Sequence, residues 1–114
     1  MIVRVPGPFS ASRCRAVVHN GVVSFFAVSP SKAMPMYEQS RAALAEVDRI
    51  LAEVGSSKDR ILTAMVYIAD MDRKEEMNRA WDEWADLAHP PMRACVGATL
   101  TGDSLIEIVM TAAV

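Results

Sequence analysis

Two charged residues sit where the chain turns strongly apolar. Arg93 opens the run in His89-Pro90-Pro91-Met92-Arg93-Ala94-Cys95-Val96, and Glu107 lies inside Leu105-Ile106-Glu107-Ile108-Val109-Met110. An ionised group in such a setting must be paired, hydrogen-bonded or neutralised, because burying it bare is costly. A guanidinium offers forked donors that match a carboxylate, and a nearby glutamate can orient or deprotonate a water. Together they outline an anion site with a general base. A plain structural alternative stays open: Arg93 solvated at a strand entrance, and Glu107 at an edge or paired with a lysine.

Other reactive side chains offer less. Cys95 lacks an obvious base, since His19 falls in a turn and His89 precedes two prolines, so a Cys–His nucleophilic pair is not expected. Cys14 and Cys95 are far apart with no CxxC spacing, and with only two histidines no metal site is expected. Asn78 lies one position off an apolar helical stripe and either reaches inward or is solvated. Trp81 and Trp84, at helical spacing, read as core or subunit-interface packing, because no basic residues interleave to make a nucleic-acid surface. Asp70-Met71-Asp72 is too short for a calcium loop. There is no GxGxxG or GxxxxGK[ST] signature.

The elements that must hold these residues follow from periodicity. Residues 2–5 and 14–18 and Val22–Val28 read as strands. Asn20-Gly21 tolerates the positive φ of a type I′ hairpin turn between the last two. From about Pro35 to Val54 the period changes to threes and fours, with Tyr37, Leu44, Val47, Leu51 and Val54 on one stripe of a helix and Gly55 as its C′ residue. Ile61 to Ala69 is a strand apolar on both faces, with Leu62, Ala64, Val66 and Ile68 on one of them. A second helix, capped by Asp70 or Asp72, runs to about Leu87 with Met77, Trp81, Trp84 and Ala88 aligned, and Pro90-Pro91 ends it. Strands over 93–100 and 105–113 close the chain around a turn at 101–104. If those two strands form a hairpin, Arg93 lies near the end opposite the turn, and Arg93 and Glu107 can face one cavity without touching.

The order β-β-β-α-β-α-β-β fits an α+β domain with two helices on one face of a mixed sheet. A chain of 114 residues suits one domain over 1–114. Two helices cover only one side of a sheet whose strands are apolar on both, so self-association is expected to cover the other. A net charge of −2 gives no basic footprint for nucleic acid. No apolar run approaches the roughly 20 residues that span a bilayer, and the opening Met-Ile-Val-Arg-Val does not read as a signal peptide. A cytoplasmic protein with free thiols is expected.

Several segments join into a known pattern: Gly55-Ser-Ser-Lys-Asp-Arg-Ile-Leu, Tyr67-Ile-Ala-Asp-Met, Met77-Asn78, His89 to Val96, and Ile106-Glu107-Ile108. Over roughly residues 14–114 the chain resembles the RidA/YjgF family, the reactive-intermediate deaminases. The resemblance implies a chorismate-mutase-like fold and a homotrimer whose sheets form a central barrel, with clefts between subunits. It also implies hydrolysis of enamine/imine intermediates such as 2-iminopropanoate or 2-iminobutanoate to the 2-keto acid and ammonia, with no cofactor. By position, Arg93 matches the arginine that clasps the substrate carboxylate and Glu107 the glutamate that positions the attacking water. Cys95 matches a pocket cysteine acting chiefly through its main chain, and Asn78 a pocket-lining asparagine.

The sequence departs from the family pattern on one wall. Where relatives commonly carry Ser-Gly-Gln or Ala-Gly-Gln, this chain reads Phe26-Ala27-Val28, so Phe26 replaces a hydrogen-bonding serine. Arg13 occupies a position that is aromatic in relatives. Two functions follow as expectations: an imine deaminase acting on a small carboxylate, or a non-catalytic trimer that binds a carboxylate or protects partner proteins. RNA cleavage, attributed to some relatives, conflicts with the acidic balance.

Overall fold

The computed structural model describes residues 1–114. Its strands are β1 (Val3–Val5), β2 (Ala16–His19), β3 (Val22–Val28), β4 (Ile61–Ile68), β5 (Met92–Gly97) and β6 (Ile106–Ala113), and its helices are α1 (Met36–Glu53) and α2 (Lys74–Trp84). They alternate in the expected order. The β2–β3 hairpin turns on Asn20 at φ 51° and Gly21 at φ 76°, the two positive values that a type I′ turn requires. Helix α1 closes in a Schellman motif: Ser56 N–H donates to Leu51 O at 2.8 Å and Gly55 N–H to Ala52 O at 3.3 Å. Gly55, at φ 77°, supplies the left-handed residue.

The six strands make one sheet in the order β1-β2-β3-β6-β4-β5. Every pair is antiparallel except β4–β5, which the crossover through α2 makes parallel. The expected hairpin between the last two strands does not form. β6 inserts between β3 and β4, and β5 pairs only with β4, at the sheet edge. After the turn at 101–104 the chain therefore passes over β4 instead of folding back on β5.

Both helices lie on one face. Val23, Phe25, Ala27, Ala64, Val66, Ile68, Ile106, Ile108 and Met110 point toward them and are buried. Fully burying each of the larger of these contributes about 1.5–3 kcal/mol. The opposite face is uncovered, and Met92, Val96 and Val109 on it are exposed. The molecule is a slab of 42 × 37 × 19 Å, one sheet and one helix layer thick.

Several boundaries differ from the sequence expectation. The register between β4 and β6 slips between Ile61 and Thr63, so Leu62 bulges out and is exposed, while Ile61 takes the buried position. In α1 the buried stripe runs through Met36, Gln39, Ser40, Ala43, Leu44, Val47, Ile50 and Leu51; Tyr37 and Val54 lie at its margins, half-buried. Asp70 caps a 3-10 turn at Met71–Arg73, accepting from Asp72 N–H at 3.0 Å, and α2 starts only afterwards. Helix α2 ends at Trp84, with Ala85 extended, so Leu87 and Ala88 fall in an exposed loop rather than on the helical stripe. β2 begins at Ala16 rather than at residue 14, and β5 ends at Gly97 rather than at residue 100.

Candidate functional site

Arg93 is paired with Ala64, whose side chain is buried beneath the helices, so Arg93 points to the helix-covered face. There α2 receives it. Arg93 Nη2 donates to Asn78 Oδ1 at 2.8 Å and Nη1 to Met77 Sδ at 3.5 Å. The guanidinium carbon lies 5.1 Å from the Trp81 ring centroid, within cation–π range. Asn78 is held in turn, its Nδ2 donating to Glu75 Oε1 at 3.3 Å, which leaves its carbonyl turned to the arginine. Cys95 lies on the same face as Arg93, two residues along β5, and is half-buried against the core. As an edge strand, β5 also presents a row of backbone donors and acceptors with no strand partner.

Glu107 lies elsewhere. Its register partners are Val28 and Tyr67, and its neighbours Ile106 and Ile108 are the residues buried under the helices. Glu107 therefore projects from the uncovered face, half-buried. A cavity of about 460 Å³ opens beside it, lined by Arg13, Val17, Ser24, Phe26 and Val109 among others. Phe26 and Val109 are direct cross-strand partners, so they flank the glutamate as one apolar patch. Within one chain, then, Arg93 and Glu107 do not share a cavity: they project from opposite faces of the sheet. The six residues singled out in the sequence resolve into two groups, Arg93 with Asn78 and Cys95, and Glu107 with Phe26 and Arg13.

The sequence did not point to three supporting residues. Trp81, read as packing, does pack in the core, and its ring also carries the Arg93 guanidinium. Phe9 stacks on Phe26 with centroids 5.4 Å apart, and the Arg13 guanidinium lies 5.6 Å over the Phe9 ring. Gln39 is fully buried in α1; its Nε2 donates to Lys32 O at 3.1 Å and Met34 O at 3.0 Å, and its Oε1 accepts from Leu105 N–H at 3.0 Å. It thereby anchors the start of β6, two residues before Glu107. A buried glutamine inside a helical stripe was the available signal. No group of three or more His, Cys, Asp or Glu side chains is placed to hold a metal, and no helix is long and apolar enough to cross a membrane.

A sequence profile described as "Endoribonuclease L-PSP" matches residues 14–114. A RutC family protein of Haemophilus influenzae is 39% identical over 106 residues, covering 90% of this chain and 91% of that one. The RutC family protein YoaB of Escherichia coli is 35% identical over 99 residues, covering 86% and 87%. The crystal structure of a YjgF-family protein from Neisseria meningitidis superposes with a TM-score of 0.92 at 35% identity, over 99% of this chain and 94% of that one. The chain belongs to the RidA/YjgF family. The RidA/YjgF fold is thus the frame on which both residue groups are set.

Proposed function

We propose that this RidA/YjgF protein is an imine deaminase whose site is completed by a second copy of the chain. The observation that carries the reading is the division of the candidate residues between opposite faces of one sheet. In a homotrimer closed through the uncovered faces, the Arg93 edge of one copy meets the Glu107 face of the next, which a heterologous ring interface permits. Arg93 holds the substrate carboxylate, Asn78 and the Cys95 main chain line the same wall, and Glu107 faces the reacting carbon.

The chemistry needs no cofactor, because the carbon of an iminium is already electrophilic and positioning supplies most of what remains. Glu107 takes a proton from water as the water oxygen bonds to C2, giving a carbinolamine. It returns that proton to nitrogen and, as the C–N bond breaks, takes the hydroxyl proton of the carbinolamine, which it then passes to the departing ammonia. The products are the 2-keto acid and ammonium, with no change in oxidation state. Two free cysteines suit a cytoplasmic setting in which thiols stay reduced.

Subunit mixing tests this reading. Arg93→Ala and Glu107→Gln each abolish hydrolysis of 2-iminopropanoate generated in situ. Refolding the two variants together restores up to about a quarter of wild-type activity, because random mixing rebuilds that share of intact interfaces. No recovery on mixing, with both variants folded and assembled, removes the shared site.

The family resemblance favours a second reading: on it, Phe26 takes the place of a hydrogen-bonding serine, which suits a trimer that binds carboxylates without hydrolysing imines. Carboxylate binding without ammonia release selects it. The endoribonuclease description of the family profile draws no support from this chain's net charge of −2.

A further inference from the structure

The wall beside Glu107 has a chemistry of its own. With the carboxylate on Arg93 of one copy and the reacting carbon at Glu107 of the next, the third substituent of the substrate, its side chain, must lie against the rest of that wall. That placement rests on the deaminase geometry above. The wall is apolar where it flanks Glu107: Phe26 and Val109 face each other across β3 and β6, with Val17 on the neighbouring strand. Two hydroxyl-bearing residues border it: Ser24, two residues before Phe26, and Tyr67, the β4 cross-strand partner of Glu107.

The aromatic part of the wall is built in advance. Phe9 reaches over from the segment between β1 and β2 and stacks on Phe26 with its ring tilted by 29°. Gly7 makes room for it: a Cβ there would lie 2.6 and 2.8 Å from Phe9 ring carbons. The Arg13 guanidinium covers the same ring. A paired aromatic surface fixed this way offers contact area with little ordering cost, and it cannot hydrogen-bond a polar substituent. In the single chain a cavity of about 460 Å³ opens beside Phe26, so the ring forms part of its wall and does not fill it.

We infer that the Phe9–Phe26 wall selects substrates with a bulky apolar side chain, namely 2-imino acids of the leucine and phenylalanine type, over the two- and three-carbon members of the class. Phe26 is the specificity residue, and Phe9, held by Gly7 and Arg13, positions its ring.

Binding of the unreactive 2-keto acid products tests this independently of turnover. Calorimetric titration of the assembled protein is expected to show 4-methyl-2-oxopentanoate and phenylpyruvate bound at least about tenfold more tightly than pyruvate, the scale of discrimination an apolar pocket reaches for one or a few carbons. Phe26→Ser brings that ratio toward one. Phe9→Ala, at an exposed position that leaves the core untouched, and Gly7→Ala, which displaces the Phe9 ring, reduce it in the same direction. Imines generated in situ from the corresponding amino acids by an amino-acid oxidase follow the same order of kcat/KM. Pyruvate binding as tightly as the larger acids, or a ratio unmoved by both Phe9→Ala and Phe26→Ser, overturns the assignment. Keto acids bound in the expected order without hydrolysis of any imine leave the wall standing and remove the deaminase reading. Imine hydrolysis indifferent to side chain does the reverse.

Discussion

At the scale of single residues, Arg93 illustrates how a charge can be held ready without being neutralised. Its contacts are a neutral carbonyl, a thioether and the face of an indole, none of which is a carboxylate. The positive charge is oriented yet still lacks an anion. Trp81 supplies the flat surface on which the guanidinium rests, so it acts on the substrate through the arginine. Trp81→Leu should therefore raise KM about tenfold while kcat changes little, the magnitude expected for loss of a partly desolvated cation–π contact. Trp81→Phe, which keeps a ring, should stay within about threefold of wild type. Equal loss of kcat and kcat/KM in Trp81→Leu would instead place the indole at the reacting atoms.

At the scale of elements, two contacts decide how the helices are seated. Gln39 ties α1 to the loop before it and to the start of β6, so removing its amide strands several buried backbone groups at once. Gln39→Leu is expected to cost on the order of 3 kcal/mol, since each unsatisfied buried group costs about 1–3 kcal/mol; the midpoint of urea unfolding reads the loss. Between the helices, Tyr37 of α1 donates its hydroxyl to Glu83 of α2, with the Arg79 guanidinium 3.8 Å over its ring. Hydrogen bonding to Glu83 raises the Tyr37 pKa above its ordinary value of 10.0, with desolvation adding to the effect. A raised pKa in the folded state means that the contact contributes fully below pH 10 and is lost as pH rises through the folded value. Absorbance titration of the phenolates should show a late-titrating component that Tyr37→Phe removes. The same substitution should flatten the fall of stability at high pH.

At the scale of the whole molecule, the slab has a dry side and a side waiting for cover. On the uncovered face Val96 is 42% exposed, and Val109, 40% exposed, lines the cavity at Glu107. A carboxylate introduced there would be desolvated by assembly with no partner. On the proposed homotrimer, Val109→Asp should leave the circular dichroism of the chain native and shift its sedimentation from trimer to monomer. Full activity in a monomeric variant would contradict a site shared between copies.

Local pattern decided much of this protein. The change in hydrophobic period separated helix from strand, Asn20-Gly21 specified the hairpin, Gly55 stopped α1, and the charges in apolar runs marked Arg93 and Glu107, because each depends on residues adjacent in the chain. Strand order did not follow from those patterns. Nothing local to β6 distinguishes a place beside β5 from one between β3 and β4, yet that choice sets the register from which each side chain takes its face. Pairing Arg93 with Ala64 turns it toward α2, and pairing Glu107 with Val28 and Tyr67 turns it to the uncovered side. Phe9 reaching Phe26, Trp81 beneath Arg93 and Gln39 bonded to Leu105 are likewise contacts between segments distant in sequence. Periodicity reports which residues are apolar at a given spacing; only the packed sheet determines which of them meet.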